Sequence, residues 1–428
     1  MRARALAQRT CRRTPHRMTE DYYRRSEDVV DVGIIGDFIF EGGAEIVIDE
    51  ICRTFPNSTL YASIYDPKTI RRYPHIEILH RSRRIRTGFS QIAQRISSVF
   101  QGLSLYHFYW LYFISALTQR TATHDVFVYS CCAQSKLIRP PKNAKAVIYF
   151  HTPTRWLYPG LVTQEDLAAI PRPLRGAMKI INRLLRPLDQ LGMRRLKALD
   201  PIWLCNSSYT RKTVSRFYGV DCEIVFPPVD TGRFAEVERQ PSDFFVYHGR
   251  LTFQKRVDVA IEGCLLAGKR LVISGEAVSP EVERHLRRVV ENACRDDPSR
   301  AELVTFLGRT SDDEVRRLFS ECAAMIFPPR EDFGIAPIEA ISAGVPVIAF
   351  GDGGALDYIK PGVNGCFFEA QTGEALAAAI TRFESLDFDP DVVAASIGDL
   401  SSERFSKEIV AYVRQIAGRA EHQRLAQT

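Results

Sequence analysis

A run of β-branched residues that stops near a glycine and leads into a segment with apolar residues at helical spacing recurs along this 428-residue chain, on both sides of one proline-bearing stretch. That pattern leaves few folds open. Unbroken Val/Ile runs belong to parallel strands covered on both faces, and parallel strands need helical crossovers. The first unit is VVDVGIIGDF from Val29, then Gly42, Gly43 and Ala44, then AEIVIDEICRTF. Strand, glycine-rich turn and helix in that order open a doubly wound domain. Further strands are expected at 59–64, 75–79, 126–129, 146–150 and 202–205, with a helix over 206–218 capped by Asn206 or Ser207. VFPPVD and the polar TGRFAEVERQPSD read as a linker. A second series follows, with strands expected at 244–248, 270–274, 304–308, 323–327, 346–350 and 365–368.

The expected organisation is a basic arm at 1–28, an N-terminal domain at 29–235, a C-terminal domain at 236–402 and a final helix and tail at 403–428. The length agrees, because single cores rarely grow beyond about 250–300 residues. A formal net charge of +6 suits anionic ligands or an anionic membrane face without requiring nucleic acid. The ten cysteines include no C-x-x-C pair, which fits a reducing, cytoplasmic setting, and the start carries no signal-peptide pattern. The longest apolar stretch, about 103–117, contains His107 and two serines and is shorter than the ~18–20 residues a spanning helix needs.

Four clusters carry candidate chemistry. In YHGRLTFQKRVD, Gly249 permits a sharp turn after a strand, and Arg250 and Lys255 project before a helix. Two cations there suit a diphosphate leaving group and can take the place of a divalent metal, so no metal site is assigned. The plainer alternative is a solvated basic turn. In PPREDFGIAPIEAISAGVPVIAFGDGGALDYI, Glu331 lies in a loop after a strand and Glu339 on the first turns of a helix. Glu331 would grip a transferred sugar and Glu339 a ribose, while the free N–H groups at that helix start, around Phe333, Gly334, Ile335 and Ala336, hold phosphate. Either glutamate alone would be an ordinary helix-start charge.

Gly36, Gly42 and Gly43 would let backbone approach a ligand, or form a simple tight turn. In YFHTPTRWLY, His151 ends a strand at the edge that faces the ligand crevice in open α/β sheets, with Thr152, Arg155 and Trp156 on the acceptor side. A loop histidine without chemistry is the alternative. No G-x-G-x-x-G is present, since Gly351-Asp352-Gly353-Gly354-Ala355-Leu356 lacks the third glycine. The D-x-D at Asp387-Phe388-Asp389 is distant from every cluster.

The GGAE loop at 42–45, HTP at 151–153, GRLTFQKRVD at 249–258 and EDFGIAPIE at 331–339 with its continuation resemble the family-4 retaining glycosyltransferases of the GT-B fold, over about residues 30–415. K-R-V-D and HTPTRWLY most resemble bacterial mannosyltransferases that use GDP-mannose. The resemblance implies an α/β protein of two Rossmann-like, doubly wound domains facing each other across a cleft, with the C-terminal helix crossing back to the N-domain. It implies that Arg250 and Lys255 bind the donor diphosphate, Glu331 the sugar, Glu339 the ribose, and the backbone of Phe333, Gly334, Ile335 and Ala336 phosphate and sugar. Gly42 and Gly43 would lie over the phosphates, His151 would contact the sugar, and the base would rest near Gly308 in FLGRT. The family's G-x-G-x turn is replaced here by Ser274-Gly275-Glu276-Ala277. Front-face displacement with retention, needing no cofactor, metal or protein nucleophile, is the implied mechanism.

The implied partners are a nucleotide-sugar donor and a glycan or lipid-linked acceptor, with no nucleic acid. Seven arginines within 71–95, the aromatic 103–113 and the basic, apolar 172–197 suit peripheral contact with the cytoplasmic membrane face, or ordinary charged surface. An epimerase or phosphorylase, a non-catalytic nucleotide- or glycan-binding protein, and a nicotinamide-dependent dehydrogenase are the competing classes.

Overall fold

The structure, a computed structural model, describes residues 30–39, 43–65, 116–117, 120–158, 160–161, 172–234 and 237–425. The basic arm, Gly42, the expected strand at 75–79 and the segments 71–95 and 103–113 lie outside the described residues. Two compact units divide the chain. One comprises Met1–Tyr149, Leu191–Trp203 and Ser402–Thr428, and the other Phe150–Gln190 and Leu204–Ser401.

The described strands form two six-stranded sheets. The first contains β1 (Val32–Ile39), β2 (Thr59–Tyr65), β3 (Val126–Cys131), β4 (Lys145–Phe150), β5 (Ile202–Cys205) and β6 (Glu223–Ile224), in the order β2-β1-β3-β4-β5-β6. β1 runs parallel to both neighbours, with Gly33 opposite Thr59 and Val32 opposite Val126. β6 is too short to leave a hydrophobic pattern and was not expected.

In the first unit, helix α1 (Gly43–Thr54) buries Val47, Ile48 and Ile51. A Cβ added to Gly36 would lie 3.0 Å from the end of Ile48, so this glycine lets the helix sit close on the strand. Asp37, buried in β1, accepts hydrogen bonds from the backbone N–H groups of Cys132, Ala133 (2.7 Å) and Ser135. Burial raises the pKa of this carboxylate, while those three bonds favour its charged form. The last helix, Ser402–Leu425, packs on this unit as expected. Phe405 meets Tyr149 edge-on at 5.8 Å, Ser406 Oγ donates to Glu50 at 2.7 Å, and Lys145 Nζ donates to the Ala417 carbonyl at 2.8 Å.

The second sheet contains β7 (Phe244–His248), β8 (Arg270–Ser274), β9 (Val304–Gly308), β10 (Ala324–Phe327), β11 (Val347–Phe350) and β12 (Gly365–Phe368), in the order β12-β11-β10-β7-β8-β9. Its pairs are parallel. Alternate residues supply two cores. Val246, Met325 and Val347 point into one, and Phe245, Ile326 and Ile348 into the other. Both faces are therefore covered, as a parallel sheet requires. The strand order turns around at β7, whose neighbours are β8 and β10. In open α/β sheets the crevice outside such a switch point is where ligands bind.

Candidate functional site

The switch point sets beside each other the loops that leave β7 and β10. After His248 the chain turns at Gly249, whose φ of +144° lies in the left-handed region. The Gly249 N–H donates to the Ser274 carbonyl at 3.0 Å, and Tyr247 Oη donates to the Arg250 carbonyl at 3.2 Å. A short turn, Phe253–Lys255, then meets helix α2 (Val257–Leu266) through Arg256, which holds a left-handed φ of +49°. A non-glycine residue there is strained, and its surroundings must hold it. The Arg256 guanidinium lies on Asp258 at 3.0 Å and on the Gln371 carbonyl at 3.3 Å. Lys-Arg-Val-Asp thus has two parts: the lysine, and an Arg256–Asp258 pair that fixes the turn presenting it.

Lys255 makes an ion pair with Glu331, and both side chains are mostly buried. Burial lowers the ammonium pKa to about 7. The guanidiniums of Arg250 and Arg155 push the same way, and Asp332 opposes them. Arg155, expected on the acceptor side, pairs with Asp332. The second unit therefore gathers Arg155, Arg250, Lys255, Glu331 and Asp332, a cation excess held partly out of water.

The loop from Glu331 is seated on the glycines after β11. The Gly354 N–H donates to the Glu331 carbonyl at 2.8 Å. A Cβ at Gly354 would lie 2.3 Å from the Asp332 carbonyl oxygen and 2.6 Å from Phe333 Cα. The sequence GDGG, which fails as a dinucleotide fingerprint, serves here to let two loops touch. Phe333 is buried and stacks on Phe226 at 5.8 Å, and Tyr358 Oη lies 3.0 and 3.1 Å from the carbonyls of Phe333 and Gly334. Gly334 has a φ of +91° and begins helix α3 (Ile335–Ser342), which no side chain caps. Its first N–H groups, at Ile335 and Ala336, favour an anion.

Glu339, on that helix, is mostly buried and accepts from Arg233 at 3.3 Å. Burial raises its pKa and Arg233 opposes the rise. Arg233 also grips Asp312 with two nitrogens and lies 5.0 Å over the Phe234 ring. Asp312 follows β9, whose last residue, Gly308 (φ +69°), accepts from the Gly275 N–H at 2.8 Å. Beside it, His248 Nδ1 lies 2.8 Å from Ser274 Oγ, itself 2.6 Å from Thr310 Oγ1. The expected residues of the second sheet thus lie at the C-terminal ends of β7, β9 and β10. Arg233, Asp312 and Tyr358 were missed. Arg233 sits in a stretch whose polarity reads as linker, and nothing local marks it.

His151, at the end of β4, is buried. Its carbonyl accepts from Asn206 Nδ2 at 3.1 Å and Thr210 Oγ1 at 3.2 Å. Burial lowers its pKa to about 3, so at neutral pH the imidazole is uncharged. Buried Asp189 accepts from Thr154 Oγ1 and Tyr158 Oη, both at 2.7 Å. Gly43 opens α1 in the first unit. Asp389, half of the D-x-D, caps a short helix by accepting from Asp391 N–H at 2.9 Å. Among the described residues no three His, Cys, Asp or Glu side chains gather as a metal site, and no helix is long and apolar enough to cross a membrane.

Gly354→Ala is expected to lower stability by about 1–3 kcal/mol, the usual range for overpacking. Urea unfolding would measure the loss, and amide exchange should show protection lost first at 331–336.

Residues 229–394 match the family described as Glycosyl transferases group 1. The human alpha-1,3/1,6-mannosyltransferase ALG2 is 26% identical over 272 residues, covering 56% of this chain and 59% of that protein. The O-antigen chain mannosyltransferase RfbU of Salmonella typhimurium is 25% identical over 284 residues, covering 61% and 75%. The chain spans about half the length of several other curated relatives. The crystal structure of Anabaena HepE in complex with UDP and glucose shares the fold at 15% identity with a TM-score of 0.56, covering 92% of this chain and 99% of that one. The glycine turns, the paired charges at the strand ends and the uncapped helix start therefore belong to a Glycosyl transferases group 1 domain at residues 229–394, in a chain with the two-sheet α/β fold of solved glycosyltransferases.

Proposed function

We propose that the protein is a family-4 retaining glycosyltransferase of hexosyltransferase type, which moves mannose from GDP-mannose to a glycan or lipid-linked acceptor in polysaccharide or glycolipid assembly. The observation that carries this reading is the Lys255–Glu331 pair beside Arg250 and Arg155 at the switch point. Each partner has a role that the other holds in waiting. A donor diphosphate replaces Glu331 as the partner of Lys255, and Glu331 then accepts from hydroxyls of the sugar. Glu339 takes the ribose, and the N–H groups at the start of α3 take phosphate oxygens. Neutral His151 offers the sugar a hydrogen bond without adding charge.

The acceptor oxygen attacks the anomeric carbon on the face from which the diphosphate leaves. The bond from that carbon to the leaving oxygen breaks, and the acceptor proton passes to a phosphate oxygen. Charge grows on the diphosphate, where Arg250 and Lys255 stabilise it without metal. The mannosyltransferase relatives favour mannose. The UDP in the Anabaena complex favours a second reading, in which the same site takes a UDP-sugar.

Release of nucleoside diphosphate in the presence of EDTA, followed for GDP-mannose and UDP-glucose in parallel, tests both. Turnover of GDP-mannose alone is expected. Turnover of UDP-glucose alone removes the mannosyl assignment, and turnover of neither, with any candidate acceptor, removes the enzyme. Lys255→Met is expected to reduce kcat by about 10²–10³-fold, the usual cost of one charge-stabilising donor.

The Lys255 ammonium also predicts a proton linkage. With its pKa near 7 it is charged below that pH and neutral above. A diphosphate raises the pKa, so binding takes up a proton where the free lysine is neutral. At pH 8 a nucleotide sugar, whose diphosphate diester does not titrate there, should bind with uptake of close to one proton, and at pH 6 with almost none. Affinity should fall as pH rises through 7. Calorimetry in buffers of different ionisation enthalpy measures the uptake, and Lys255→Met should abolish it.

Peripheral membrane contact belongs to the same proposal. On the long helix Arg172–Lys197, Ile180 and Leu184 are 64% and 68% exposed, four residues apart, beside exposed Lys179 and Arg183. Apolar residues among cations suit an anionic interface. Ile180→Asp with Leu184→Asp is expected to reduce sedimentation with anionic vesicles; unchanged sedimentation would exclude this helix.

A further inference from the structure

Beside the charge cluster, the second unit holds a cavity of about 250 Å³ whose cations have no part in the donor chemistry above. One wall is the helix Ser208–Tyr218, and its Lys212 and Arg216 line the cavity. Residues four apart on a helix are surface neighbours, and like charges at that spacing repel. Among the described residues neither makes an ion pair, although the adjoining Arg211 is held by Asp221 with bonds of 2.6 and 2.7 Å. The opposite wall contributes Arg330, which donates to the Gly160 carbonyl at 2.9 Å and lies 3.5 Å from Asp352. Three cations and one carboxylate leave a formal charge of +2 (3 − 1) on the lining. The N-terminus of the helix is already occupied, since the Ser208 N–H donates to Asp357 at 2.7 Å. The positive character therefore comes from side chains on the helix flank.

The cavity also adjoins the reaction centre. A smaller space of about 30 Å³ shares Leu161, Tyr209 and Arg330 with it and is bounded by Arg155, Gln254 and Asp332. Gln254 precedes Lys255 in the chain. An anion on Lys212 and Arg216 would thus lie next to the cluster that takes the donor diphosphate, on a molecule that reaches the same reacting carbon. Leu161, Phe217 and Leu356 add apolar surface to the wall.

We infer that Lys212 and Arg216 bind a phosphate or diphosphate group carried by the acceptor, so that the acceptor is a phosphorylated sugar or a lipid-linked diphosphate. This rests on the glycosyltransferase reading and narrows its acceptor. The group positions the acceptor hydroxyl and takes no part in bond making.

Inorganic pyrophosphate is the probe, titrated calorimetrically at about 0.15 M salt, where exposed charges alone are largely screened. In Arg250→Gln/Lys255→Gln, with the donor cations removed, one pyrophosphate should still bind. Adding Lys212→Gln/Arg216→Gln should weaken it at least tenfold. Loss of binding already in the first variant, or equal binding in both, overturns the inference. Lys212→Gln/Arg216→Gln alone should leave the dissociation constant of the nucleotide sugar within twofold. If the wild-type chain binds no nucleotide sugar, the donor reading fails whatever pyrophosphate does. Two further probes separate the sources. Tighter binding of a short isoprenyl diphosphate than of pyrophosphate assigns a lipid-linked acceptor, and tighter binding of glucose 1-phosphate assigns a soluble one. Tighter binding of glucuronate than of any phosphate would overturn the phosphate assignment.

Discussion

A lysine and a glutamate held together away from most solvent, at the point where a parallel sheet reverses its order, organise everything around them. Lys255 reaches Glu331 only because β7 and β10 are neighbours although 75 residues lie between the end of one, His248, and the start of the other, Ala324. Such a pair is costly to bury and gains stability only where the geometry and neighbouring charges are favourable. Arg250 and Arg155 make the neighbourhood unfavourable for the ammonium. The site is therefore short of negative charge, a condition that a diphosphate relieves.

The supports of that pair are backbone devices. Gly249 turns the chain at the strand end, Arg256 accepts a left-handed conformation secured by Asp258, and Gly354 allows the Glu331 carbonyl to come within hydrogen-bond distance of its N–H. Each removes a degree of freedom from the turn or loop that carries a charged side chain, and so fixes where that charge sits.

Strands were legible because their hydrophobic runs are long enough to have a period and end at turn residues. β5, β7, β8, β9 and β12 fall on the expected residues. The cap at Ser207, which accepts from the Thr210 N–H at 3.0 Å, was legible from residue type. Lys255, Glu331 and Glu339 stood out because cations and carboxylates beside glycine turns are unusual. What stayed hidden depends on partners remote in sequence. Arg233 gains meaning only from Asp312 and Glu339, 79 and 106 residues away, and Arg155 only from Asp332, 177 away. A polar linker and a basic loop look the same whether or not such partners exist.

The residues after β11 touch more than one neighbour. Gly354 holds the loop of Glu331, Tyr358 holds the carbonyls of Phe333 and Gly334, Asp352 lies against Arg330, and Asp357 takes the N–H that opens the helix carrying Lys212. The seven positions from Asp352 to Tyr358 thus form a bracket that joins two otherwise separate parts, the loop 330–334 and the helix Ser208–Tyr218. The loop that carries Glu331 and the first turn of the helix that carries Lys212 are therefore anchored on one short stretch of backbone.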